Sequence, residues 1–130
     1  MATLLTFSNI VAIGLGAAMG AVARWLLGLW LNHAGGLIPW GTLAANFVGA
    51  YLIGLLLGVL MHFTESPEWL RLFLITGLLG GLTTFSTFSA ETVGLISRGD
   101  YFHALGYALV SVAGSLTLTF LGLWSAQRFF

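Results

Sequence analysis

The chain has 130 residues, 58% of them hydrophobic and only 6% charged, with a mean hydropathy of +1.01. A soluble domain cannot cover that much apolar surface, so the composition points to an integral membrane protein. Four arginines against four acidic residues leave no net charge and no basic patch, which excludes nucleic-acid binding, and the absence of cysteine excludes a disulfide framework or a thiolate metal site.

At about 20 residues per bilayer crossing, the length accommodates four transmembrane helices joined by short loops, so residues 1–130 form a single all-α transmembrane domain. The N-terminal MATLLTFSNIV lacks the basic stretch of a secretory signal and reads as mature sequence. The first span covers about residues 8–31 and ends at Asn32-His33-Ala34-Gly35-Gly36, a turn-rich loop closed by Pro39. The second covers about 40–61 and meets an interfacial segment carrying Glu65, Pro67, Glu68, Trp69 and Arg71. The third covers about 69–97 and the fourth about 103–126, with the polar turn Arg98-Gly99-Asp100 between them. No charged residue occurs from Trp25 to Thr64 or from Tyr101 to Gln127, as expected of helices that meet lipid rather than water.

Loop arginines normally set orientation, and here they balance: Arg71 and Arg128 fall on one side, Arg98 on the other, and Arg24 lies within the first span nearer the Arg98 side. Two against two is compatible with insertion both ways and pairing with an inverted copy, or with one orientation fixed by weak cues. Gly16-x-x-x-Gly20 and Gly54-x-x-x-Gly58 are small-residue contacts between helices and indicate no function by themselves.

The middle of the third span is unsuited to a plain lipid-facing helix. Gly77, Gly80 and Gly81 can end a helix, and the Thr and Ser residues that follow can cap a second one. A broken helix at membrane depth must line a cavity or be buried in protein, and it offers carbonyls to a cation and amides to an anion. The alternative is an unbroken helix whose hydroxyls bond back to carbonyls one turn earlier. Phe85 and Phe88 lie three apart, with hydroxyls at Thr84, Ser86, Thr87 and Ser89. Ring edges and hydroxyls can replace water around a small anion without a fixed charge to trap it, although two Phe at this spacing can equally be packing.

In the fourth span Tyr107, Ser111, Ser115 and Thr119 form a stripe of hydroxyls at steps of four, fit to relay an anion or to satisfy their own helix backbone. Arg24 costs roughly 2.5–3.5 kcal/mol at mid-helix, so it either faces an aqueous vestibule and attracts anions or snorkels to the interface.

The run Gly80-Gly81-Leu82-Thr83-Thr84-Phe85-Ser86-Thr87-Phe88-Ser89 resembles the signature of the Fluc (CrcB) fluoride channels. Gly20 to Trp25, Trp40-Gly41-Thr42-Leu43-Ala44-Ala45-Asn46, Glu91 and Gly114-Ser115-Leu116 extend the likeness over the whole chain. The resemblance implies a multi-pass protein of the cell (inner) membrane, an antiparallel dual-topology homodimer with two pores, and passive export of fluoride. It also implies that Phe85 and Phe88 line the pore, that Asn46 presents an amide donor to the ion, and that the fourth-helix stripe belongs to the path. Without the resemblance, Asn46 reads as a helix-to-helix hydrogen bond. Gly80 and Thr83 match positions whose backbone carbonyls hold a structural sodium ion on the two-fold axis. Glu91, which follows the broken segment, can pair with a donor or with the partner subunit and is assigned no role.

Rival functions fare worse. A small multidrug transporter needs a carboxylate in its first helix, and Met1 to Asn32 contain none. A non-transporting accessory subunit would not require Phe and hydroxyls around a broken helix. An enzyme is excluded by the lack of a carboxylate pair, an activated nucleophile or a metal-ligand cluster in the spans.

Overall fold

A computed structural model describes residues 2–33 and 35–130; Met1 of the N-terminal stretch and Ala34 of the first loop lie outside the described residues. After a single 3-10 turn, Ala2–Leu4, come α1 (Phe7–Leu31) and α2 (Trp40–His62). The third span begins as α-helix at Glu68–Arg71, continues in wider π winding over Leu72–Leu79, and ends with Gly80–Leu82; these three pieces are α3. It resumes as α4 (Phe85–Ser97) and is followed by α5 (Tyr101–Phe129). Four helical spans are long and apolar enough to cross a membrane: Phe7–Leu31, Trp40–His62, Glu68–Ser97 and Tyr101–Phe129. Their large apolar side chains, such as Phe7, Trp30, Phe102, Leu109 and Phe120, point outward, as they must where the solvent is hydrocarbon.

Glycine makes the helix contacts. Gly16 and Gly20 of α1 lie against the α3 backbone at Phe73 to Leu82, and Gly77 and Gly81 reciprocate against α1 at Ile13 to Ala21. Gly54 and Gly58 of α2 meet Thr119, Leu123 and Ala126 of α5, and Gly122 meets the α2 backbone at Tyr51. Both expected small-residue motifs therefore bury helix faces, where dispersion between close backbones replaces the hydrophobic drive that lipid removes. By contrast, Gly14 faces open space.

The third span is broken, though not where its glycines stand. Gly77, Gly80 and Gly81 stay helical, because two of them are needed for the α1 contact; Thr83 and Thr84 instead adopt extended backbone, with ψ of 154° and 120°. The break changes the helix's partner: α3 packs on α1, whereas α4 packs on α5. The fourth span starts two residues earlier than the sequence indicates because Asp100 caps it, accepting from the His103 backbone N–H at 3.2 Å. The turn before it is a Schellman closure: Gly99 (φ 79°) donates to Ile96 O and Asp100 donates to Leu95 O, both at 2.9 Å.

Candidate functional site

Thr84 is the hinge of the site, and Asn46 of α2 holds it from both sides. The Thr84 N–H donates to Asn46 Oδ1 at 2.7 Å, and Asn46 Nδ2 donates to Thr84 O at 3.1 Å. The side chain thus acts as a piece of backbone, satisfying at membrane depth two groups that a continuous helix would have satisfied itself. Thr84 Oγ1 then caps α4 by accepting from the Thr87 N–H at 3.1 Å. Arg24 completes the clamp from α1, with Nε donating to Gly81 O at 3.0 Å, a cation against the negative end of α3.

These bonds leave particular carbonyls free. In an unbroken helix Gly80 O would accept from the Thr84 N–H, which Asn46 Oδ1 has taken; Thr83 O would accept from the Thr87 N–H, which Thr84 Oγ1 has taken. Leu79 O, in contrast, accepts both the N–H and the Oγ1 of Thr83. Gly80 and Thr83 therefore present carbonyl oxygens of the kind a hard monovalent cation prefers. Among the described residues no group of three or more His, Cys, Asp or Glu could hold a metal ion.

A groove of about 530 Å³ runs along the break between α2, α3–α4 and α5. Six of the eight residues expected on an anion path line it: Asn46, Phe85, Phe88, Ser111, Ser115 and Thr119, together with Gly80 and Thr83. Phe85 is 77% exposed, and its ring leans on Phe88 with centroids 5.7 Å apart. Phe88 in turn packs on Tyr107 at 5.3 Å and on the buried cluster of Leu43, Leu95 and Ala104.

The hydroxyl stripe is less uniform than its spacing suggests. Thr119 Oγ1 donates to Ala50 O at 2.9 Å, which closes the α2–α5 contact. Tyr107, behind Phe88 and outside the groove wall, donates to Glu91 Oε1 at 2.9 Å. Ser111 is the exception, since its Oγ is buried and has no partner among the described residues. Arg24 likewise is not on the groove wall; its bond to Gly81 O places it beside the break rather than on the groove.

Sequence spacing gave no hint of the group around Glu91, whose two oxygens accept from Tyr107 OH and from Thr42 Oγ1, each at 2.9 Å. Thr42 lies 49 residues away on α2, so no local pattern could have paired them.

The family profile described as "CrcB-like protein, Camphor Resistance (CrcB)" matches residues 11–123. The chain belongs to the CrcB family. Curated relatives in this family align over nearly their whole length. A Bordetella petrii protein named "Fluoride-specific ion channel FluC" is 62% identical over 119 residues, covering 92% of this chain and 91% of its own. A Bordetella avium protein of the same name is 61% identical over 119 residues, covering 92% and 93%. One from Ralstonia pickettii, also so named, is 50% identical over 120 residues, covering 92% and 94%. In this CrcB chain the matched region contains the Asn46 clamp, the break at Thr83–Thr84 and every residue of the groove wall.

Proposed function

We propose that the chain is a fluoride-selective channel, not an enzyme, which lets fluoride leave the cell passively across the inner membrane and so lowers its cytoplasmic level. The observation that carries this is the groove: two phenyl rings and a buried, unpartnered Ser111 hydroxyl beside a clamped helix break, at a depth where lipid offers a polar group nothing. Such a surface suits an ion that has lost part of its hydration. The Ser111 and Ser115 hydroxyls and the positive edges of Phe85 and Phe88 replace water, and the second Nδ2 hydrogen of Asn46 adds a donor at the break. The names of the relatives add the identity of the ion.

The functional unit we propose is an antiparallel homodimer. A groove carrying Ser, Thr and free carbonyls, with Phe85 projecting beyond it, is unsuited to lipid and calls for a protein cover. A second copy inverted in the membrane provides one, and the balanced arginines permit it. Gly80 and Thr83 of each copy would then contribute two carbonyls, four in all, to a structural sodium ion on the axis, whose charge would stabilise these freed oxygens. Sodium is not the transported species in this scheme.

Fluoride efflux from proteoliposomes, followed with an ion-selective electrode beside chloride efflux under the same potassium gradient, tests the function. Fast fluoride and negligible chloride release is expected. Protein that is inserted and dimeric yet releases neither ion would overturn the proposal and favour an accessory role.

A further inference from the structure

A second cavity, of about 230 Å³, lies beyond the groove beneath the α1–α2 loop. Glu91 and Gly94 of α4 form part of its wall, and so do Arg98, which caps the end of α4, and Asn32 and His33, which follow α1. Its roof is held in place, since the Gly41 N–H at the start of α2 donates to Asn32 Oδ1 at 2.7 Å. Gly94 leaves the space open: a Cβ there would meet nothing within 4 Å.

The cavity continues the line of the groove. Phe88, Glu91, Gly94 and Arg98 follow one another along α4 at helical steps of three and four, a rise of about 15 Å toward the membrane face. Phe88 lines the groove and packs on Tyr107, Tyr107 donates to Glu91, and Glu91 lines the cavity. Phe88, Tyr107 and Glu91 thus form a chain of contacts from one space to the other, within the buried cluster of Leu43, Leu95 and Ala104. Glu91 confronts an approaching anion with a carboxylate, and Arg98 supplies a charge of opposite sign about 10 Å further out along the helix. Arg98 is exposed and makes no ion pair among the described residues, although its charge also acts on the Asp100 carboxylate two residues on. The charged or titratable groups facing the cavity are Glu91, Arg98 and His33.

We propose that this cavity is the mouth of the anion path on the side of the α1–α2 loop, and that Arg98 concentrates fluoride there against the repulsion of Glu91. This rests on the conduction proposed above and adds where the path reaches solution and which residue recruits the ion. A positive charge at an opening raises the local anion concentration there, an effect that salt screens.

Because the chain has no cysteine, Gly94→Cys introduces its only thiol. The variant is reconstituted and treated on both sides of the membrane with water-soluble methanethiosulfonates, one bearing a sulfonate and one a quaternary ammonium. Modification is read by mass and fluoride efflux by electrode. Either reagent is expected to attach and to cut efflux by about ten-fold or more, with the anionic reagent reacting faster. Arg98→Gln is expected to lower efflux about three- to ten-fold at low ionic strength, with the gap closing in high salt, while Arg98→Lys retains the rate. A thiol that stays unmodified, or full modification with undiminished efflux, overturns the mouth. Arg98→Gln conducting like the unmodified chain at low ionic strength overturns the role of Arg98, and that variant tests the proposal alone should the cysteine variant fail to assemble. If the unmodified chain conducts no fluoride, conduction itself fails, whereas the labelling result still reports whether the cavity opens to water.

Discussion

Asn46 joins the fold to the site. Its amide takes the place of helix backbone at Thr84, donating to one backbone group and accepting from the other, so its identity is constrained on both sides. Asn46→Ala leaves the N–H and C=O of Thr84 unpaired, a cost of roughly 1–3 kcal/mol for each group that stays buried. We expect a lower thermal midpoint in detergent together with loss of fluoride efflux. Asn46→Asp keeps the acceptor, loses the donor to Thr84 O and adds a negative charge beside the path, so efflux is expected to fall at least ten-fold. An Asn46→Asp protein with normal efflux would remove this residue from the path. None of the clamp was legible in the sequence, because Asn46 and Thr84 lie 38 residues apart and nothing local pairs them. Spacing alone allowed a helix-to-helix bond at Asn46, and the bond is there, but its partner is a broken backbone. Likewise, the free hydroxyl of Ser111 and the committed one of Thr119 were indistinguishable, since a stripe at steps of four does not say which neighbour stands opposite each group.

Among the helices, long uncharged apolar runs and the turn residues between them marked four spans, and the Thr-rich run after the glycines marked a break. The exact place of the break was hidden because glycine serves two purposes in a membrane helix: it weakens the helix and it admits a neighbouring backbone. Contact with α1 decides in favour of packing at Gly77 and Gly81, and the chain breaks two residues later. The π winding of Leu72–Leu79 left no mark on the pattern either. Gly81→Ala would drive a methyl into Ala17 O, and a cost of about 1–3 kcal/mol is expected. The same change at Gly14, which meets nothing, should be neutral or slightly stabilising. Thermal unfolding of the two variants side by side measures the difference.

The α5 cap makes a prediction in pH. The His103 side chain and then its backbone N–H hold the Asp100 carboxyl below its usual range. Its ionised form therefore favours the folded state, and that contribution is present above the ordinary carboxylate pKa and is lost as pH falls through the lowered folded value. Unfolding of the wild type and of Asp100→Asn, compared across pH, should differ near neutrality and converge in strong acid.

At the scale of the molecule, the monomer exposes along its groove what a membrane protein must cover. Balanced arginines left one or two orientations open, and a thiol at Glu65, an exposed position after α2, separates them in this cysteine-free chain. With dual topology, about half of the Glu65→Cys thiols react with a membrane-impermeant maleimide in intact cells and the remainder only after permeabilisation. A single orientation gives all or none. The central claim is that fluoride passes through the groove, and Phe88 is its most telling residue because the ring stands between the open groove and the Tyr107–Glu91 pair. The direct measurement is fluoride efflux through Phe88→Ile in proteoliposomes, with the oligomeric state determined on the same preparation. The account predicts an assembled dimer with efflux reduced at least ten-fold, since the ring edge is lost while the apolar volume stays close. An assembled dimer that releases fluoride at the wild-type rate would contradict it.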